Sequence, residues 1–168
     1  MNDLVQTIRV KDGRELGFAQ YGDLKGKPLF YFHGWPGSRL GAKKTDVLAK
    51  KFGIRVISPD RPGYGISDFQ KDRTLLDWPD DVVAIANFLR IKKFTVLGVS
   101  GGRPYAAVCA YKIPHRLIRI GIVVGLAPTN VPGILDDLKF LVRLGWKNYD
   151  KQFVRNAGTL FHYVNARY

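Results

Sequence analysis

The stretch FTVLGVSGG, residues 94–102, decides how this chain folds. Its apolar and β-branched start predicts a buried strand, and the Gly-x-Ser-x-Gly spacing that follows is typical of a sharp turn from a strand into a helix. Glycine at positions 98 and 102 removes the Cβ atoms that would collide across such a turn. Ser100 is therefore predicted at the top of a sheet, in a strained conformation with positive φ that exposes its hydroxyl for nucleophilic attack.

Two segments are predicted to supply backbone donors for an oxyanion beside this serine. The first is the turn itself, where the amide of Gly101 points with the positive end of the following helix. The second is HGWPG, residues 33–37, which follows a predicted strand over residues 28–32. Gly34 lets the chain turn there, and Trp35 presents the second amide, so both amides are expected to face one point.

A third segment completes the pattern, because a predicted strand over residues 54–58 leads into DRPGYGISD, residues 60–68. The order HGWPGSR, DRPGYGISD, GVSGGRPYA resembles the α/β-hydrolase superfamily, in its esterase- and lipase-like branch with an HG-x-P oxyanion loop, over about residues 14–125. The resemblance implies a serine acyl-enzyme. Dehalogenases and soluble epoxide hydrolases of this superfamily carry aspartate where this chain has Ser100, which favours acyl transfer over alkyl transfer.

Strands alternate with helices along the chain, which predicts a doubly wound, mostly parallel α/β sheet. Strands are expected at residues 4–10, 14–21, 28–32, 54–58, 94–99 and 118–124, and helices at about residues 38–52, 74–90 and 102–112. The last strand is apolar on both faces, as is typical of a buried parallel strand. Thr74 and Asp77 predict a capping box at the start of the second helix.

Residues 1–125 are interpreted as the N-terminal part of an α/β-hydrolase core, and residues 126–168 as the start of a helical cap or lid. An apolar stripe with helical spacing supports the second part, although an amphipathic helix packed on the sheet explains it equally well: Val154, Ala157, Leu160, Phe161 and Val164. The resemblance places the triad acid and histidine after further strands. We therefore expect a truncated chain, incomplete after the sixth strand and lacking both residues.

The histidines and later acids of the chain are poor substitutes for the missing triad members. His33 is interpreted as holding the oxyanion loop through backbone hydrogen bonds, and His115 as a surface residue beyond the far end of the elbow helix. His162 is predicted to face solvent, which makes it a weak candidate for a makeshift base. Three acids follow the elbow but have no histidine to orient: Asp136, Asp137 and Asp150.

Substrate binding is assigned to Gly34, in the oxyanion loop, and to Arg103, in the first turn of the elbow helix. A cation at that position opposes the helix dipole, and the family tends to place a small residue there. Arg103 either recognises a substrate carboxylate beside Ser100 or pairs with a nearby aspartate in solvent. The second interpretation is favoured, because long arginine side chains usually reach water.

Composition restricts the partners of the protein. The net charge of +13, from 27 Lys and Arg against 14 Asp and Glu, would suit a polyanion, but the basic residues are spread as pairs without aromatic alternation. We therefore expect a solvated basic surface and no specific nucleic acid. One cysteine, Cys109, is predicted to face the sheet, and no segment is long and apolar enough for a signal peptide or a membrane span. A cytoplasmic enzyme without a metal or cofactor is expected.

Three functions remain open at this point. The favoured one is a serine hydrolase that acts on an ester or other small acyl substrate through an acyl-enzyme at Ser100. The alternative is a non-catalytic remnant that serves as a binding or assembly module, and the third is a basic nucleic-acid-associated protein. Because the strands that would follow are expected to be absent, residues 118–124 should form an apolar edge. We expect that the chain self-associates through this edge, that helices over residues 134–166 bury it, or that the protein is poorly soluble.

Overall fold

A computed structural model describes residues 6–125, in which six strands form one mixed sheet. The strands are β1 (Gln6–Arg9), β2 (Glu15–Gly22), β3 (Lys27–Phe32), β4 (Ile54–Pro59), β5 (Phe94–Val99) and β6 (Leu117–Val123). Their order across the sheet is β1-β2-β4-β3-β5-β6. The pairs β1/β2 and β2/β4 are antiparallel, and the other three pairs are parallel. The predicted mostly parallel α/β sheet is confirmed.

Helices cover both faces of this sheet, as a doubly wound fold requires. They are α1 (Asp46–Lys51), α2 (Trp78–Phe88) and α3 (Arg103–Lys112), with 3-10 turns at Arg39–Thr45, Leu75–Asp77, Ser100–Gly102 and Pro114–Arg116. The predicted capping box is present, since the amide of Thr74 donates to the Asp77 carboxylate over 2.6 Å. It starts the 3-10 turn that leads into α2.

The single helix predicted over residues 38–52 is wrong in detail, because the structure divides it into a 3-10 turn and the short helix α1. The Thr45 hydroxyl donates to the carbonyl of Ala42 over 2.7 Å, three residues earlier. Such a local bond competes with regular helical pairing, and Gly41 is also a weak helix former.

Two apolar clusters hold the helices against the sheet. The larger one lies under α2 and α3 and includes edge-to-face contacts of Trp78 with Phe32 at 5.2 Å and with Tyr105 at 5.4 Å between ring centroids. Cys109 is fully buried in this cluster, and burial raises the pKa of its thiol to about 12. It is therefore a small apolar core residue, as predicted. The smaller cluster joins α1 to the other face through Ala42, Ala49 and their neighbours.

Strand β6 is not buried on both faces, as its apolar pattern predicted, but it does form the apolar edge that was predicted for residues 118–124. It pairs with β5 at the edge of the described sheet, and Ile118, Ile120 and Ile122 are 57%, 44% and 49% exposed. The apolar pattern indicates which side chains are favourable to bury. Whether another strand lies beside β6 depends on the position of β6 in the strand order.

Residues 126–168 lie outside the described part of the chain. The predicted cap, its apolar stripe, His162 and the three later aspartates belong to that segment and stay predictions. Between residues 6 and 125, no helix combines the length and the apolar character needed to cross a lipid bilayer.

Candidate active site

Ser100 stands where β5 turns sharply toward α3. Its φ is +50°, in the left-handed region, and it opens the 3-10 turn that leads into the helix. A Cβ built on Gly98 would lie 2.5 Å from the Gly102 carbonyl oxygen, and one built on Gly102 would overlap the carbonyl oxygen of Phe32. The predicted strained turn, and the need for glycine on both sides of it, are confirmed in these contacts.

The loop after β3 lies directly against this turn. A Cβ built on Gly34 would lie 3.2 Å from Ser100 Cβ, and one built on Gly101 would lie 3.3 Å from the amide nitrogen of Trp35. The Trp35 side chain is 51% exposed, and its peptide bond to Pro36 is cis. The structure therefore brings together the four residues that the sequence singled out around the nucleophile.

His33 is buried and turned into its own loop. Its Nδ1 lies 2.9 Å from the carbonyl oxygen of Gly34, and its ring centroid lies 5.7 Å from that of Tyr64. This placement agrees with the interpretation that His33 holds the loop.

Arg61 was not singled out from the sequence, yet it bridges the two segments around Ser100. It is 4% exposed, and its Nη2 donates to the Gly34 carbonyl oxygen over 3.0 Å. Its Nη1 donates to the Gly101 carbonyl oxygen over 3.4 Å. The guanidinium carbon also lies 4.5 Å and 4.9 Å from the ring centroids of Tyr64 and Tyr105.

A buried ion pair fixes the far end of the loop after β3, and the sequence patterns did not reveal this pair either. Asp60 accepts hydrogen bonds from the Arg39 amide over 2.6 Å, from Arg39 Nη1 over 2.7 Å and from the Ile66 amide over 3.1 Å. Burial raises the pKa of the Asp60 carboxyl, and these bonds oppose that shift. The carboxylate thus joins the loop that follows β3 to the loop that follows β4.

Arg103 is half-buried at the start of α3. A Cβ built on Gly125 would lie 2.6 Å from Arg103 Cδ, so its methylenes run toward the end of β6. The favoured pairing with a nearby aspartate is not seen, since Arg103 forms no ion pair with any residue between 6 and 125.

A proton acceptor for Ser100 is not supplied by the described residues. None of them forms a hydrogen bond with Ser100 Oγ, and His115 is exposed beyond the end of α3, as predicted. Ten residues of α-helix separate it from the elbow by about 15 Å. The same part of the chain also contains no group of three or more metal-ligating side chains.

Comparisons with known proteins give the family. Residues 27–162 match the family model for the alpha/beta hydrolase fold. The bifunctional esterase/perhydrolase DCH of Acinetobacter calcoaceticus is 24% identical over 95% of this chain and 58% of its own length. A non-heme chloroperoxidase of Streptomyces lividans is 29% identical over 74% of this chain and 46% of its own length. The chain thus spans about half the length of these curated relatives.

Solved structures agree with the fold. A hydrolase from Pseudomonas aeruginosa superposes with a TM-score of 0.72 at 15% identity, covering 96% of this chain and 68% of that chain. The epoxide hydrolase CorEH superposes with a TM-score of 0.68 at 24% identity, covering 89% of this chain and 53% of that chain. With the strand-to-helix turn at Ser100, the adjoining loop and the family match in agreement, the chain belongs to the alpha/beta hydrolase fold family.

Proposed function

We propose that this chain carries the nucleophile and the oxyanion hole of a serine hydrolase that acts on an ester or other small acyl substrate. The observation that carries the proposal is the positive φ of Ser100 on a turn packed against Gly34. Backbone strain of this kind costs about 1–3 kcal/mol and is retained mainly at functional sites. A serine in that place favours an acyl-enzyme, whereas alkyl transfer in this superfamily uses an aspartate.

The proposed reaction begins when Ser100 Oγ attacks the substrate carbonyl carbon. The new C–O bond pushes the carbonyl π electrons onto oxygen, and the amides of Trp35 and Gly101 donate to that oxyanion. Collapse of the intermediate expels the alcohol, which takes up the proton that Ser100 lost on attack, and leaves an ester on Ser100. Water then adds to this ester, and the acid is released as Ser100 regains its proton.

The base that accepts the Ser100 proton is not found among residues 6–125. His33 and His115 are unsuited by position, so within the chain His162 stays the candidate. Without a base, an oxyanion hole and bound geometry leave roughly 10³ to 10⁴-fold acceleration over water. We therefore expect weak turnover of activated esters if His162 does not reach Ser100, and a rate that falls in His162→Ala if it does.

Substrate contacts are proposed for Gly34 and Arg103. Gly34 keeps the space next to Ser100 Cβ clear for the acyl group, since a side chain there would meet the nucleophile. Arg103 is half-buried three residues after the nucleophile and forms no ion pair with residues 6–125. Its guanidinium is therefore available to a carboxylate on the acyl side of the substrate.

The test is covalent capture of Ser100 by a fluorophosphonate, followed by peptide mass mapping, with p-nitrophenyl acetate hydrolysis measured in parallel. We expect modification at Ser100, and loss of both signals in Ser100→Ala. Ser58→Ala is the matched control, because the Ser58 hydroxyl is buried and has no partner among the described residues. Equal hydrolysis by Ser100→Ala, or capture at another residue, would refute the proposal.

The Arg103 assignment uses the same assay with an ester that bears a terminal carboxylate. Arg103→Met should lower kcat/KM for the charged ester about tenfold and leave the neutral ester unchanged, a difference typical of one charge-assisted hydrogen bond. Equal effects on the two esters would assign Arg103 to packing against the end of β6.

A second candidate function, a non-catalytic binding or assembly module, is favoured by the exposed isoleucines of β6. An apolar edge strand with unpaired backbone groups is a ready template for another strand. Failure of Ser100 capture together with stable association through β6 would favour this function over the enzyme.

A further inference from the structure

Arg61 is unusual because its guanidinium is buried beside the proposed oxyanion hole without an acidic partner in the described part of the chain. Only 4% of the residue is exposed, and the six ion pairs among residues 6–125 do not include it. Its Nη2 donates to the Gly34 carbonyl oxygen and lies 3.1 Å from His33 Nδ1, and its Nη1 donates to the Gly101 carbonyl oxygen. Its charge is therefore solvated by peptide dipoles and by the faces of Tyr64 and Tyr105.

The hydrogen bond from Arg61 to the Gly34 carbonyl also orients the N–H of Trp35. The Gly34 carbonyl and the Trp35 N–H belong to one planar peptide, and they point in opposite directions when that peptide is trans, as it is here. A donor that holds the carbonyl oxygen from one side therefore fixes the N–H on the other side. Arg61 Nη2 holds that oxygen at 3.0 Å.

The same hydrogen bond from Arg61 also makes the Trp35 N–H a stronger donor. Hydrogen bonds polarise one another in series, so a cation on the Gly34 carbonyl makes the Trp35 N–H more positive. His33 Nδ1 lies 2.9 Å from the same oxygen and 3.1 Å from Arg61 Nη2. It donates to the oxygen only while Nδ1 carries a proton, and without that proton it accepts from Arg61 instead. The guanidinium is always a donor, which makes Arg61 the constant partner of this peptide.

We propose that Arg61 is a positioning residue for the oxyanion hole, which it orients through the Gly34–Trp35 peptide and ties to the elbow through the Gly101 carbonyl. The proposal rests on the proposed serine hydrolase function. Arg61 acts through the backbone and touches no substrate. Its charge, which forms no ion pair with any residue between 6 and 125, adds to the stabilisation of the oxyanion.

The test compares Arg61→Met and Arg61→Lys with Arg116→Met. Arg116 is a matched control, because it also donates to two backbone carbonyls, those of Ile91 and Lys92, and lies 5.9 Å from the ring of Phe94. Its place is at the opposite end of α3 from Ser100. The first readout is fluorophosphonate capture, with the maximal rate kinact separated from the binding constant KI. The second is the backbone ¹H and ¹⁵N shift of Trp35 in labelled protein.

We expect Arg61→Met to lower kinact about 10- to 100-fold with little change in KI, the effect of weakening one oxyanion donor. Arg61→Lys should have a kinact between those of Arg61→Met and the wild-type protein. It keeps a cation at this position but cannot bond both carbonyls with the two Nη groups of a guanidinium. The Trp35 amide should shift upfield in both Arg61 variants, and Arg116→Met should change neither readout.

The proposal is overturned if folded Arg61→Met keeps both the wild-type kinact and the Trp35 shift. If Arg61→Met does not fold, Arg61→Lys decides by the same two readouts. If the wild-type chain is not captured at all, the proposed enzyme function fails. The Trp35 shift still decides on Arg61 in that case, because an unchanged shift in Arg61→Lys removes the orienting role and a changed shift supports it.

Discussion

The position of Ser100 depends on the lack of a Cβ atom at Gly102. The Cα of Gly102 faces the end of β3, where a Cβ would overlap the Phe32 carbonyl oxygen and lie 3.1 Å from the His33 carbonyl oxygen. Both neighbours are backbone atoms, so no side-chain rotation can relieve the contact. The elbow and the oxyanion loop therefore approach each other only because residue 102 is glycine.

We predict that Gly102→Ala destabilises the protein by about 3 kcal/mol, since overpacking against rigid backbone costs this much. It should also reduce fluorophosphonate capture, because Ser100 and the oxyanion loop must move apart. The measurement is the free energy of unfolding in urea. Gly41→Ala is the control, because a Cβ there meets nothing within 4 Å and its φ is not positive. Equal free energies of unfolding for Gly102→Ala and Gly41→Ala would contradict this prediction and show that the elbow accommodates a Cβ at residue 102.

Asp60 and Arg39 form a buried pair, with side chains 0% and 6% exposed. We predict that Asp60→Asn destabilises the protein by about 3–5 kcal/mol, because it leaves the Arg39 guanidinium buried without its counter-charge. Glu15→Gln removes an exposed pair with Arg9 at 3.5 Å and should cost less than about 0.5 kcal/mol. Urea unfolding measures both variants.

At the scale of elements, local patterns predicted the strands and the elbow because each of these is defined by adjacent residues. The spacing of Gly98, Ser100 and Gly102 is enough to specify the turn. The pair Thr74 and Asp77 is likewise enough to specify the capping box. The helix over residues 38–52 was harder to predict, because a threonine hydroxyl bonded three residues back decided its form.

The roles of Asp60 and Arg61 could not be read from the same local patterns. Charged residues in a loop rich in glycine and proline are expected in solvent, and both of these are buried. Their partners Arg39, Gly34 and Gly101 lie 21, 27 and 40 residues away in sequence. Only the approach of three loops at one edge of the sheet makes these charges part of the site.

For the whole molecule, the strand order places β6 at the edge of the described sheet. We predict that the chain self-associates through this strand, because its isoleucines are exposed and no strand between residues 6 and 125 pairs with its outer edge. Salt screens the repulsion expected from the net charge of +13. Sedimentation velocity should detect dimers or larger species at micromolar concentration. Hydrogen exchange should find the amides of residues 118–124 protected in a concentration-dependent way.

A charged side chain on β6 tests self-association directly, because natural proteins commonly use charges on edge strands to prevent pairing with another chain. Ile120→Lys should shift the protein toward monomer, whereas Val47→Lys, at a residue of α1 that is 81% exposed, should leave association unchanged. Protected amides in a strict monomer would mean that residues 126–168 cover β6, as helices packed over the sheet would do. A stable monomer whose β6 amides exchange rapidly would refute self-association and would describe a domain that tolerates an open apolar edge.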